Sequence, residues 1–143
     1  MAFSAKTEYG LVALIDLADA YAGGGLVQTG EICRRHRIPE RYLEQMLTSL
    51  RKGGLLRSIR GPRGGFQLAR DPGSIAVNEV VACLEGESSS EGGQREGDAE
   101  FAVLAALDSR AEQARNAVLS ALTLADLVRE RDAAKAPQPM FYI

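Results

Sequence analysis

Apolar residues recur at helical spacing through most of this chain, and glycine or proline separates one run from the next. Residues from Ser4 to about Tyr21 read as a helix, with Ser4 fitting an N-cap and Tyr9, Val12, Leu14, Ile15, Leu17 and Ala18 forming a broad apolar surface. Gly23 to Gly25 should end it. A two-turn helix from Thr29 to Arg37 would bury Ile32 and Cys33 and leave Arg34, Arg35 and Arg37 in water. Ile38-Pro39 interrupts the chain, and proline is tolerated there because the first turn of a helix has N–H groups without intrahelical partners. The next helix carries Leu43, Met46, Leu47 and Leu50 inward and stops at Gly53-Gly54. Two short helices joined this tightly make a helix-turn-helix candidate, the core of a winged unit between about Gln28 and Arg70.

The pattern then changes. Leu55 to Ile59 and Phe66 to Leu68 read as two short strands around the turn Arg60-Gly61-Pro62-Arg63-Gly64-Gly65, a wing. After a second turn at Asp71 to Ser74, Val77, Val80, Val81 and Leu84 mark another core-facing helix. Residues 86–98 contain no apolar side chain, which predicts a mobile loop. From Ala99, a stripe of Phe101, Leu104, Leu107, Ala111, Ala114, Val118 and Leu122 implies one helix of roughly 35 Å. Such a stripe needs a partner, and a second copy of the chain supplies one. Thr123 and Asp126 fit a capping box that opens a last helix through about Ala134; Pro137 and Pro139 then forbid helix ahead of the apolar Met140 to Ile143. The expected fold is mainly α with a small β-wing, a winged helix-turn-helix plus a long dimerisation helix. Its expected divisions are a DNA-binding domain at 1–86, an acidic loop at 87–98, and a dimerisation helix, short helix and tail at 99–143.

At 143 residues, with 45% apolar and 25% charged residues, one folded domain is expected. Asp16, Asp19 and the glycine run interrupt the most apolar stretch, which has neither the length of a membrane span nor the basic start of a signal peptide, so a cytoplasmic protein is expected. Cys33 and Cys83 lie inside helical patterns and read as buried thiols. The net charge of -2 conceals a sorting of charge along the chain. Ten basic residues between Arg34 and Arg70 face only Glu40 and Glu44, whereas from Glu87 onward ten acidic residues outnumber six basic ones. A basic segment inside an acidic protein is the form of a localised polyanion-binding surface, although a merely solvated basic face has the same composition.

What structure carries those charges decides between the two. Arg41, Glu44, Gln45 and Thr48 share one face of the third helix, and such groups can hydrogen-bond base edges in a major groove. Arg51 and Lys52 near its end suit phosphates, and Arg60 and Arg63 at a glycine-rich tip suit a narrow minor groove. An enzyme is disfavoured: there is one histidine, no paired-carboxylate cleft, and the glycines around Pro62 lack the Gly-Lys-Ser/Thr ending of a phosphate loop.

These residues resemble the Rrf2 family of bacterial winged helix-turn-helix transcription regulators. The likeness rests on Lys6-Thr7-Glu8-Tyr9-Gly10, on Arg41-Tyr42-Leu43-Glu44-Gln45 with Leu50-Arg51-Lys52-Gly53-Gly54-Leu55, and on Arg60-Gly61-Pro62-Arg63-Gly64-Gly65-Phe66. Thr123-Leu124-Ala125-Asp126-Leu127 also resembles the family, which is matched densely over about residues 3–86 and sketchily beyond. The resemblance implies a homodimer held by an antiparallel long helix, with the Tyr42 and Glu44 helix in the major groove and the Arg60 wing in the minor groove of a palindromic operator in double-stranded DNA. The expected DNA-binding set is Ser4, Lys6, Arg41, Tyr42, Glu44, Gln45, Thr48, Arg51, Lys52, Arg60, Gly61, Pro62, Arg63, Gly64 and Gly65. The expected dimerisation set is Phe101, Leu104, Leu107, Ala111, Ala114, Val118 and Leu122.

One departure matters. Many members of that family sense iron–sulfur clusters or nitric oxide through three cysteines in the loop before the dimer helix, and residues 86–98 contain none. Glu8 resembles a carboxylate ligand of some members but reads here as a solvated first-turn residue. His36, one turn from Cys33, reads as a helix-surface histidine near DNA phosphates, since two ligands do not make a zinc site. No metal and no cofactor are expected, and the effector is a small molecule, a partner protein or cysteine oxidation. Two other readings fit the same fold: a redox or iron–sulfur sensor with atypical ligands, and a protein-binding winged-helix module.

Overall fold

The computed structural model describes residues 3–86 and 97–135. Within them the order is α1 (Ala5–Ala20), α2 (Thr29–His36), α3 (Glu40–Lys52), β1 (Leu56–Ile59), β2 (Gly65–Leu68), α4 (Val77–Glu85), α5 (Ala99–Ala121) and α6 (Leu124–Lys135), with 3-10 turns at Tyr21–Gly23 and Pro72–Ser74. The fold is mainly helical with one small antiparallel sheet, as the apolar repeats predict. No helix among the described residues is long and apolar enough to cross a membrane.

Local chemistry sets the boundaries. Ser4 caps α1, its hydroxyl accepting from the Thr7 N–H at 3.2 Å. At the end of α3 the Gly54 N–H donates to the Arg51 carbonyl and the Leu55 N–H to the Leu50 carbonyl, each at 3.0 Å. That Schellman arrangement puts Gly54 at φ 81°, where a side chain would be strained. Asp98, the last residue of the expected loop, is the N-cap of α5 and accepts from the N–H groups of Glu100 and Phe101. The mobility expected for residues 87–96 and the apolar tail at 140–143 lie outside the described residues. The capping box at Thr123 forms as expected: the Thr123 N–H donates to Asp126 at 2.9 Å and the Asp126 N–H to the Thr123 hydroxyl at 3.2 Å.

One core holds these elements together. Leu14 and Leu17 of α1, Ile32 of α2, Leu43, Met46, Leu47 and Leu50 of α3, Leu68 of β2 and Val80 of α4 are fully buried. Each large aliphatic side chain contributes about 1.5–3 kcal/mol. The core does not stop at residue 86: Leu119 and Leu124 belong to it, and α6 packs on α1. Backbone bonds from the Val77 N–H to the Leu122 carbonyl (2.8 Å) and from the Leu124 N–H to the Ile75 carbonyl (3.0 Å) fasten the α5–α6 junction to the start of α4. This junction corrects the role expected for Leu122. The helix ends at Ala121, Leu122 is extended, and its side chain packs against the chain's own core instead of continuing the α5 stripe.

Candidate nucleic-acid interface

The burial of Leu43, Met46, Leu47 and Leu50 fixes the rotation of α3 about its axis. Arg41, Tyr42, Glu44 and Gln45 are thereby left outside, with Tyr42 56% exposed, and Arg51 and Lys52 stand exposed in the last turn. Thr48 is half-buried. Pro39 proves to be the N-cap itself, with no side-chain cap bond.

The wing follows directly, β1 packing against α3. Leu56 pairs with Leu68, Arg57 with Gln67, Ser58 with Phe66 and Ile59 with Gly65. A third strand position, absent from the sequence reading, braces it: Val27 and Phe66 exchange backbone hydrogen bonds at 3.0 and 2.9 Å. Across the tip the Gly64 N–H donates to the Gly61 carbonyl at 2.8 Å, which leaves Arg60, Gly61, Pro62 and Arg63 exposed. Gly64 and Gly65 are half-buried and press on backbone, so their contribution is to the shape of the tip.

The charges are unevenly satisfied. On α5 and α6, Arg115 pairs with Glu85 and Glu112 and lies over the Phe3 ring, Arg129 pairs with Asp126, and Arg131 pairs with Asp19 and Asp132, while Arg110 and Lys135 make no ion pair among the described residues. Arg70 forms a two-pronged bond with Glu79 at 2.8 and 2.9 Å. Among the described residues, Arg41, Arg51, Lys52, Arg60 and Arg63 make no ion pair and no hydrogen bond. These cations therefore stay available on α3 and the wing tip. Ser4 spends its hydroxyl on Thr7, both as cap acceptor and as donor at 3.1 Å, while Lys6 is exposed.

His36 has a partner that its surface position does not suggest. It stands on the helix surface as expected, but its Nε2 lies 2.6 Å from Oδ2 of Asp16 on α1, a partner within the protein that the sequence pattern did not supply. Asp16 is 4% exposed, and a buried carboxylate requires partners. The overlooked signal was an acidic residue set among the buried Ala13, Leu14 and Leu17 of α1.

On α5, Phe101, Leu104, Leu107, Ala111, Ala114 and Val118 are all exposed, Leu104 at 58% and Val118 at 60%. Val103, at 67%, joins them and was missed because it lies outside the strict repeat.

With this geometry established, the sequence pattern of the Rrf2 family, described as an iron-dependent transcriptional regulator, matches residues 3–130. The chain belongs to the Rrf2 family. The HTH-type transcriptional regulator IscR of Cereibacter sphaeroides is 44% identical over 86 residues, covering 59% of this chain and 56% of that relative. The chain spans about half the length of the curated relatives it matches. IscR of T. potens superposes with a TM-score of 0.80 at 34% identity, covering 99% of this chain and 97% of that one. CymR, the global cysteine regulator of B. subtilis, superposes with a TM-score of 0.77 at 32% identity, covering 91% of this chain and 98% of that one. The curated relatives are named as HTH-type transcriptional regulators.

The iron dependence in the Rrf2 description can be tested against the donors present. The sequence has two cysteines and one histidine. Cys83 is half-buried and donates to the Ser49 carbonyl at 3.3 Å. Burial pushes its thiol up, against the opposing charge of Lys6. Burial, then Glu40 and Glu44, push the Cys33 thiol up as well. Protonated thiols are poor ligands, and among the described residues no three of His, Cys, Asp and Glu converge. This donor set does not fit an iron–sulfur cluster held within one chain.

Proposed function

We propose that this chain is a cytoplasmic homodimer that binds double-stranded DNA at a palindromic operator and regulates transcription without an iron–sulfur cluster. The observation that carries the reading is the group of unpaired cations at α3 and the wing tip, beside an exposed Arg41, Tyr42, Glu44 and Gln45 face whose rotation the core fixes. Arg41 and Gln45 have bidentate chemistry for purine edges, and Glu44 can accept from a cytosine amino group. Arg51, Lys52 and Lys6 suit phosphates, as does Ser4 at the start of α1. Arg60 and Arg63 suit the minor groove. Residues 1–86 then form the DNA-binding unit, and the exposed face of α5 pairs with a second copy, because an apolar strip of this length is unfavourable in water. Two-fold pairing presents two α3 helices to two inverted half-sites. A small molecule or a partner protein serves as effector, and no catalytic role is assigned.

The test is selection of genomic fragments by the purified full chain, with sedimentation in parallel. An inverted-repeat motif, a dimer at micromolar concentration and binding unchanged by chelation are expected. Absence of any enriched motif would move the reading to a protein-binding module, and loss of binding on iron removal that reconstitution restores would make it a cluster sensor.

A further inference from the structure

The buried Asp16 carboxylate on α1 takes both its partners from the last turn of α2. His36 Nε2 lies 2.6 Å and Arg35 Nη1 3.1 Å from the same oxygen, Oδ2. The residue after His36 is Arg37, at φ 56° and ψ 44°, the one non-glycine residue with positive φ among those described. Its N–H and that of Ile38 both donate to the Cys33 carbonyl. Ile38 is buried, and Pro39 caps α3. The imidazole is thus fixed one residue before the strained turn that sets the angle between α2 and α3, the helix bearing the exposed reading face.

We propose that the Asp16–His36 contact is a proton-dependent latch on the 37–39 turn, with His36 as a positioning residue for DNA binding. The proposal rests on the DNA-binding reading above. An imidazole is the side chain that changes charge near neutrality; on losing its proton it keeps a hydrogen bond to the Asp16 carboxylate but loses the Coulomb attraction to it. Charged groups surround the pair: Arg34 and Arg37 flank Arg35 and His36 in sequence, and others stand on α1 and α3, which pack against α2. On α2 itself Glu31 holds Arg35 at 2.8 Å. On α1 Asp19 is occupied by Arg131 of α6, and on α3 Glu40 and Glu44 act on Cys33, one turn before His36. His36 is the only histidine in the sequence, so replacing it removes every imidazole from the measurement.

The test uses the full chain and a fluorescent duplex carrying the motif recovered by selection, at constant ionic strength between about pH 6 and pH 8. Wild-type affinity should fall by about two- to fivefold across that range, the scale of one partly exposed ion pair. His36→Gln, which keeps a neutral donor, should bind with a flat profile near the wild-type value at high pH. His36→Leu should be flat and weaker still. Amide exchange of the free protein reads the latch without DNA: the protection factor of the Ile38 N–H should fall with pH in the wild type and not in His36→Gln. Parallel wild-type and His36→Gln profiles, or equal binding by a folded His36→Leu variant, would overturn the proposal. If no duplex is bound but Ile38 protection still follows pH through His36, the DNA-binding reading fails and the coupling to it falls, while the latch itself stands.

Discussion

Replacing Gly65 by alanine tests whether the wing is held by the strand position at Val27. A Cβ built at Gly65 would lie 2.5 Å from the Val27 carbonyl oxygen and 2.9 Å from its carbon, distances that real Cβ atoms essentially never show. Both neighbours are backbone, so they cannot swing aside as a side chain would. The strand must separate from Val27, which endangers the two hydrogen bonds at 3.0 and 2.9 Å that join Val27 to Phe66. At about 0.5–1.5 kcal/mol net for each bond, the loss is about 1–3 kcal/mol. The lower entropy of alanine in the unfolded chain offsets up to about 1 kcal/mol of it. Urea denaturation should therefore show Gly65→Ala less stable by about 1–2 kcal/mol, and amide exchange should speed up at Val27 and Phe66 before it does elsewhere. Gly54→Ala is the control. Nothing lies within 4 Å of the added methyl, so only the dihedral at φ 81° is strained, at about 1–2 kcal/mol, and the Val27 and Phe66 amides should keep their local protection. A Gly65→Ala variant that retains native protection at both amides would refute the bracing role of Val27.

The elements that were legible in the sequence are those whose determinants are local or periodic. Leu43, Met46, Leu47 and Leu50 repeat at helical spacing and all four are buried, which fixed in advance the face of α3 that carries Arg41, Tyr42, Glu44 and Gln45. Caps at Ser4, Gly54 and Thr123 depend on a few adjacent residues and form as expected. What was not legible depends on pairing across distance. Val27 meets Phe66 as a lone bridge, and a single residue has no period. Asp16 and His36 lie on different helices, so nothing local in the sequence marks the surface histidine as the partner of a buried carboxylate; the packing of α1 against α2 makes the pair. Leu122 continues the apolar repeat of α5 by spacing alone. The backbone bonds between the segments at Ile75 to Val77 and Leu122 to Leu124 take precedence, and they turn it inward. Periodicity identifies which residues want burial, whereas backbone pairing decides which surface buries them.

Further outcomes follow from the interface and the dimer face. Arg60→Ala should weaken binding to the selected duplex by about 1–3 kcal/mol, and Glu44→Ala should cost less affinity while relaxing the choice of base; filter binding against specific and random DNA would count against both assignments if neither variant differs from wild type. Leu104→Glu puts a charge on an exposed position of α5, so sedimentation should find a folded monomer, and an unchanged dimer would remove α5 from the interface. On the proposed cluster-free reading, a Cys33→Ser, Cys83→Ser double variant that stays folded should bind the operator like wild type; loss of binding by the folded variant would restore a role for the cysteines. The last outcome concerns acid. The Arg70 guanidinium, and after it the Ala76 N–H, hold Glu79 below its ordinary value of 4.5. A carboxyl depressed by folding stabilises the native state above its unfolded value, and that contribution disappears as pH falls through the folded one. Glu79→Gln should thus be less stable than wild type near neutrality, and the gap should close below about pH 4. Both partners are about two-fifths exposed, so solvent screening limits the gap to under about 1 kcal/mol. Thermal melts that show the same difference at pH 7 and pH 3 would mean that Glu79 acts through packing and not through its charge.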